Sequence, residues 1–169
     1  LKGIIVGAGR GIRLMPHTRE VPKCLVEIGG KLLLSYVLDA FAAAGITDIS
    51  FVGGYRIQMV KRAFPDLHYY HNDDWKNNNI LASLMYASPE MKGSVVVSYS
   101  DIVFPQDTIV RLLATDADVT LVVDRAWRKS YVGRTLHPVT EAENVVLTNG
   151  NVTDIGKGLD AATGEFIGL

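Results

Sequence analysis

Apolar positions along the chain change their period in an ordered way. Lys2–Gly7 (KGIIVG) is short and continuously apolar, the pattern of a strand covered on both faces. Leu32–Ala44 carries apolar residues at Leu33, Leu34, Val37, Leu38 and Phe41, a helical spacing, and Gly45 is its stop signal. Asp48–Gly53 predicts a second strand, Ile57–Phe64 a short helix ending before Pro65, and Leu67–Tyr70 a third strand. Ile80–Ser88 predicts a helix with Leu81, Leu84 and Met85 on one side, and Ser94–Ser98 a buried strand. Gln106–Ala114 then reads as a helix and Asp118–Val123 as a further strand. This alternation predicts an α/β fold, a mostly parallel, mixed sheet flanked by helices. The pattern changes after Asp124. Asn149-Gly150, between NVVLT and NVTDI, predicts a two-residue hairpin and hence an antiparallel excursion near the C-terminus. No repeat or linker interrupts residues 1–169, so the reading keeps one domain.

Composition narrows the function classes. With 48% hydrophobic and 21% charged residues among 169, a disordered chain is excluded. Seventeen basic against 18 acidic side chains leave a net charge of −1, which gives no electrostatic case for nucleic acid. No apolar run reaches the ~18 residues of a membrane span, and the single cysteine, Cys24, excludes a disulfide framework. His17, His68, His71 and His137 show no zinc-ligand grouping. The expectation is a soluble, cytoplasmic domain with neither a nucleic-acid nor a membrane partner.

The first strand runs into GAGRG. Gly7, Gly9 and Gly11 alternate there, which frees the backbone to turn amide N–H groups toward an anion, while Arg10 and Arg13 add forked donors suited to phosphate. A tightly packed turn without a ligand would use the same glycines. GxGxxG fails on spacing, because Ile12 and Leu14 stand where its last glycine would fall. Walker A fails because Ile12-Arg13 replaces Lys-Ser/Thr.

Over Gly7–Leu34, GAGRGIRLMPHTREVPKCLVEIGGKLLL resembles the opening of nucleotidyltransferases with the glycosyltransferase-A-like, Rossmann-like fold. Gly7 stands where alanine is common and Leu32 where proline is usual. The resemblance implies transfer of a nucleoside monophosphate from an NTP to a phosphorylated acceptor, with release of pyrophosphate. It assigns the nucleotide to the turn (Gly7, Ala8, Gly9, Arg10, Gly11) and to the loop at Gly54 and Tyr55.

Lys23, in VPKCL, would place an ammonium between mutually repelling phosphates, and with Arg13 it is the expected catalytic pair; most lysines are simply solvated. Asp101 follows SVVVSYS at the carboxyl end of a strand, where an aspartate can hold Mg²⁺ against phosphate oxygens or merely shape a turn. The resemblance implies the metal role. A second acidic metal ligand, implied on a later strand, has no match up to Leu169, so the chain is expected to be truncated or incomplete at its C-terminus.

KNNNILASL puts Asn78, Asn79 and Ser83 at a helix start, where asparagines often cap. The segment also resembles one lying beside the nucleotide in cytidylyltransferases that act on phospho-alcohols. Between Asp124 and Arg134, basic residues alternate with aromatic ones. Trp127, Tyr131 and Arg134, with Glu141 and Glu143, could receive an acceptor that carries both a phosphate and an ammonium. Solvated surface charge is the competing explanation.

These segments are similar to the phosphocholine and 2-aminoethylphosphonate cytidylyltransferase branch. The expected reaction is Mg²⁺-dependent: CTP plus phospho-alcohol or phosphonate gives a CDP-product and pyrophosphate. A sugar-1-phosphate acceptor and a nucleotide-binding regulatory module without turnover are the alternatives.

Overall fold

Four of the expected strands pair in one parallel sheet, and the two strands of the expected hairpin pair with each other. The computed structural model describes all 169 residues, and they divide into two compact units, Leu1–Thr115 and Asp116–Leu169. The sequence reading keeps a single domain, with its change of pattern a little further on, after Asp124.

In the first unit, β1 (Lys2–Gly7) is flanked by β4 (Ile49–Gly53) and β6 (Val95–Tyr99), and β5 (His68–His71) lies outside β4. The spatial order is β5-β4-β1-β6 and every pairing is parallel. Chain order reverses at β1, so a crevice opens beyond the carboxyl ends of β1 and β6, where open α/β sheets bind ligands.

Side chains alternate across β1. Ile4 and Val6 join Val52 and Ala87 in one apolar cluster. Gly3 faces the other way, and a Cβ there would stand 2.6 Å from Phe41 Cδ1, so α1 (Leu33–Ala43) lies directly on that strand. The buried stripe of α1 is Leu33, Leu34, Val37, Ala40 and Phe41, as the helical spacing predicts. A short hairpin, β2 (Glu27–Ile28) with β3 (Lys31–Leu32), leads into it around Gly29 and Gly30, which take positive φ. Leu32 has φ −62°, the value a proline ring imposes, so leucine there keeps the same backbone. The remaining helices are α2 (Ile57–Ala63), α3 (Ile80–Met85) and α4 (Thr108–Leu113), and no helix is long and apolar enough to cross a membrane.

Two elements differ from expectation. The α3 face that goes inside carries Ser83 and Leu84, with Ala87 just beyond it, while Leu81 and Met85 are 63% and 51% exposed. Asn79 caps the helix by accepting the Ala82 N–H at 2.9 Å, and buried Ser83 then fixes its rotation. Secondly, only the end of Asp118–Val123 is a strand: β7 is Val123–Asp124, and Val119 is 79% exposed. Its partner is antiparallel, because the tail of the chain returns beside it.

In the second unit the strand order is β7-β10-β8-β9, with β8 Asn144–Thr148, β9 Asn151–Gly156 and β10 Gly164–Phe166, all antiparallel. The β8–β9 turn is the expected Asn149-Gly150, with φ 53° and 84°, the two positive values of a type I′ hairpin.

Candidate active site

The glycine turn leaves β1 at the crevice. Gly7 sits where a Cβ would come within 2.8 Å of Phe51 Cζ and closer still to the Ser100 hydroxyl, so the space an alanine would use is taken by Ser100. Gly11 has φ +72°, and a Cβ there would lie 2.9 Å from Lys23 Cβ, which lets the returning arm lie against the turn. Buried Thr18 donates from Oγ1 to Gly11 O at 2.8 Å and ties that arm down.

Turn and arm enclose a cavity of about 290 Å³ lined by Val6 to Gly9, Gly11, Arg13, Leu14, Lys23, Cys24, Ile80 and Tyr99 to Asp101. Lys23 Nζ and Asp101 Oδ2 meet there at 2.5 Å, each side chain about one-third exposed. The expected phosphate-binding lysine and metal-binding aspartate are therefore brought together, and in the ligand-free protein each neutralises the other. Cys24, beside them, is buried; desolvation first, and then the Asp101 carboxylate, push its thiol up to about 12. It remains a neutral thiol at physiological pH, without the thiolate a nucleophile needs.

A second cavity of about 480 Å³ shares Gly9, Gly11 and Arg13 and adds Arg10, Ile12, Trp75 and Lys76. Arg10 lies over the Tyr55 ring, 5.4 Å from its centroid, and its Nε is buried without a hydrogen-bond partner. Gly54 is pressed between Trp75 and the turn: a Cβ there would stand 2.6 Å from Trp75 Cγ and 2.8 Å from Ala8 O. The Tyr55 N–H donates to that same Ala8 O at 2.9 Å.

The structure engages the asparagine segment inward. Asn72, fully buried, donates to Asn78 Oδ1 at 2.9 Å and to Ser83 Oγ at 2.8 Å, and accepts from Asn78 Nδ2 at 3.1 Å. Asn79 is the helix cap. Only their neighbour Ile80 reaches the first cavity.

In the second unit, Trp127 and Tyr131 are buried edge to face, with centroids 5.8 Å apart, in a small core with Ala142. Arg128 covers the Trp127 ring at 4.5 Å and Arg134 the Tyr131 ring at 4.8 Å. The Tyr131 hydroxyl donates to Glu165. Glu141 accepts from Lys157 at 2.6 Å, while Glu143 is half-buried and its carbonyl accepts the Phe166 N–H at 2.9 Å. The side chains of Trp127, Tyr131, Arg134 and Glu141 thus already have partners within their own unit.

Ser100, Thr18, Asn72 and Trp75-Lys76 belong to the site or its support without being expected from sequence. Ser100 and Trp75-Lys76 adjoin residues that are expected, Asp101 and the asparagine run. Thr18 and Asn72 carry no local signal, since their roles depend on partners remote in sequence.

No group of three or more His, Cys, Asp or Glu side chains is close enough to hold a metal ion. Asp101 offers one carboxylate, which suits Mg²⁺ that arrives with phosphate and water ligands rather than a cage made wholly of protein.

A glycine turn and cations at a sheet's switch point, facing one carboxylate, define a domain that handles nucleotide phosphates. The family model of the MobA-like NTP transferase domain matches residues 3–150, and the chain belongs to that family. It is a nucleotidyltransferase, as the opening motif implies.

CTP:phosphoglutamine cytidylyltransferase of Campylobacter jejuni is 33% identical over 181 aligned positions, covering 100% of this chain and 72% of that protein. 2-Aminoethylphosphonate cytidylyltransferase of Lancefieldella rimae is 27% identical over 172 positions, covering 98% of this chain and 64% of that protein. The solved CTP:phosphocholine cytidylyltransferase of Streptococcus pneumoniae matches with a TM-score of 0.68 at 24% identity, over 98% of this chain and 67% of that one, and shares the fold.

Proposed function

We propose that the chain is the nucleotide-binding domain of a Mg²⁺-dependent cytidylyltransferase. It would join CMP from CTP to a small phosphate- or phosphonate-bearing acceptor and release pyrophosphate. The observation that carries this reading is the Lys23–Asp101 pair set in the switch-point cavity against the glycine turn. CTP as the donor, and an acceptor such as phosphocholine or 2-aminoethylphosphonate, are supported by the names of relatives that act on phosphoglutamine, choline phosphate and 2-aminoethylphosphonate.

In this reaction an acceptor oxygen attacks the α-phosphorus, the bond to the bridging oxygen breaks, and that oxygen leaves with pyrophosphate. A phosphate monoester, with a second pKa near ~6, is already largely ionised and needs no protein base. The protein's task is then to position the groups and neutralise charge. Turn amides would hold the triphosphate, with Arg10 and Arg13 beside them. Lys23 would leave Asp101 for the α-phosphate or the acceptor's phosphate. Asp101, so released, would hold Mg²⁺, which supplies charge neutralisation on the phosphate oxygens. The exchange replaces one ion pair by two.

Pyrophosphate release with each NTP, against phosphocholine, 2-aminoethylphosphonate, phosphoglutamine and glucose 1-phosphate, tests donor and acceptor together. Lys23→Ala is expected to lower kcat by about 10²–10³, the scale of one lost electrostatic stabiliser. Its effect on stability should stay within about 1 kcal/mol, because the pair is partly solvated. A Lys23→Ala protein with parental turnover would refute the mechanism.

A further inference from the structure

The arm that carries Arg10, Arg13 and Lys23 is largely irregular, with a short 3-10 turn at each end, Ile12–Leu14 and Lys23–Leu25. Its middle, from Met15 to Glu20, is exposed apart from Thr18. An arm of this kind needs outside support to hold three cations in place.

Tyr55 and Arg56 lie at the turn between β4 and α2. The Tyr55 N–H donates to Ala8 O at 2.9 Å, its ring carries the Arg10 guanidinium at 5.4 Å, and its hydroxyl donates to Arg19 O at 2.5 Å. One side chain therefore touches both the outgoing turn and the returning arm. Arg56 adds a second tie: Nε donates to the Tyr55 hydroxyl at 3.0 Å, and Nη2 bonds the Glu20 carboxylate. Arg56 holds φ +49°, a left-handed conformation unusual for a residue with a side chain. A glycine would adopt that conformation without strain.

We propose that Tyr55, Arg56 and Glu20 form a brace that sets the loop's cations in the geometry that receives the nucleotide. They are positioning residues for nucleotidyl transfer. The inference rests on the proposed nucleotide site, but it concerns the loop's order rather than the identity of base or acceptor.

Three variants test it, with Arg56→Glu alone as the reference for the third: Tyr55→Phe, Arg56→Gly and the charge exchange Glu20→Arg/Arg56→Glu. The first readout is trypsin cleavage within the ligand-free arm at Arg13, Arg19 and Lys23, which needs no substrate. The second is KM and kcat for Mg·CTP in pyrophosphate release, with Mg·CTP affinity by calorimetry alongside. Tyr55→Phe and Arg56→Gly should cleave faster than the parent and raise KM and Kd about fivefold, the equivalent of one lost hydrogen bond, with kcat changed less. Arg56→Gly should keep the parental melting temperature, and the charge exchange should restore KM relative to Arg56→Glu alone.

Parental cleavage rates in Tyr55→Phe and Arg56→Gly would overturn the brace. So would faster cleavage with unchanged KM and Kd, or no rescue by the exchange. If the parent binds a different NTP, the cytidylyl reading fails, while the same three variants judge the brace with that NTP.

Discussion

Removing Asn72 tests whether the asparagine segment is part of the scaffold or part of the binding surface. Its amide makes three side-chain hydrogen bonds at a fully buried position, two with Asn78 and one with Ser83. Each contributes about 0.5–1.5 kcal/mol net, so Asn72→Ala should destabilise by about 2–4 kcal/mol. Asn78→Ala removes two of the same three bonds and should cost about 1–3 kcal/mol. Ser83 retains its bond to Asn79 O at 3.1 Å in both variants.

Because the two substitutions share the Asn72–Asn78 bonds, the double variant should be less damaged than the sum. The coupling expected is about 1–2 kcal/mol. Chemical unfolding followed by circular dichroism gives the four free energies, and NTP affinity is measured alongside. Additivity within about 0.3 kcal/mol would refute the pairing. Asn78 would then be available to the nucleotide, and Asn78→Ala should weaken NTP binding instead of the fold.

Gly54→Ala would set a methyl 2.6 Å from Trp75 Cγ and 2.8 Å from Ala8 O, so either the indole or the glycine turn must move. Overpacking of this kind costs about 1–3 kcal/mol; a lower melting temperature and weaker NTP binding are expected, and parental values of both would show that the close approach is absent. At the opposite end of the sheet, hydrogen bonds from the Lys2 ammonium and the Tyr70 hydroxyl hold the Glu90 carboxyl below its ordinary value of 4.5. Its contribution to stability is present above that value and is lost as pH falls through the lowered one. Glu90→Gln should therefore flatten stability against pH below about 4.5; equal slopes for parent and variant in acid unfolding would refute the assignment.

Most of the first unit was legible because each strand and helix announces itself locally. KGIIVG and SVVVS are apolar enough to be central strands, and Gly45 ends α1 as expected. The site followed from the same logic: a glycine turn and an aspartate after two such strands meet wherever those strands are neighbours, as β1 and β6 are. What escaped depends on partners distant in sequence. DVTLVV has the apolar content of a buried parallel strand, yet only its last residue, Val123, is in a strand, paired antiparallel with Phe166 of the returning tail. The alternation of bases and rings from Asp124 to Arg134 reads as a receptive surface, but sequence cannot say whether a ring faces a ligand or its own arginine. Asn72 is a single polar residue after a strand until the fold surrounds it with Asn78 and Ser83.

The groups in the switch-point cavity also constrain the acceptor. Its lining has two cations, Arg13 and Lys23, one carboxylate, Asp101, and a thiol that burial keeps protonated. No histidine lines it, and its carboxylate is already engaged by Lys23. A neutral alcohol would need a base to become a nucleophile, and this lining gives it none. An acceptor that arrives as a phosphate or phosphonate brings its own negative charge, which the lining's cations stabilise without any proton transfer. Charge in the cavity thus favours acceptors whose attacking oxygen is ionised before they bind, whatever the remainder of the molecule carries.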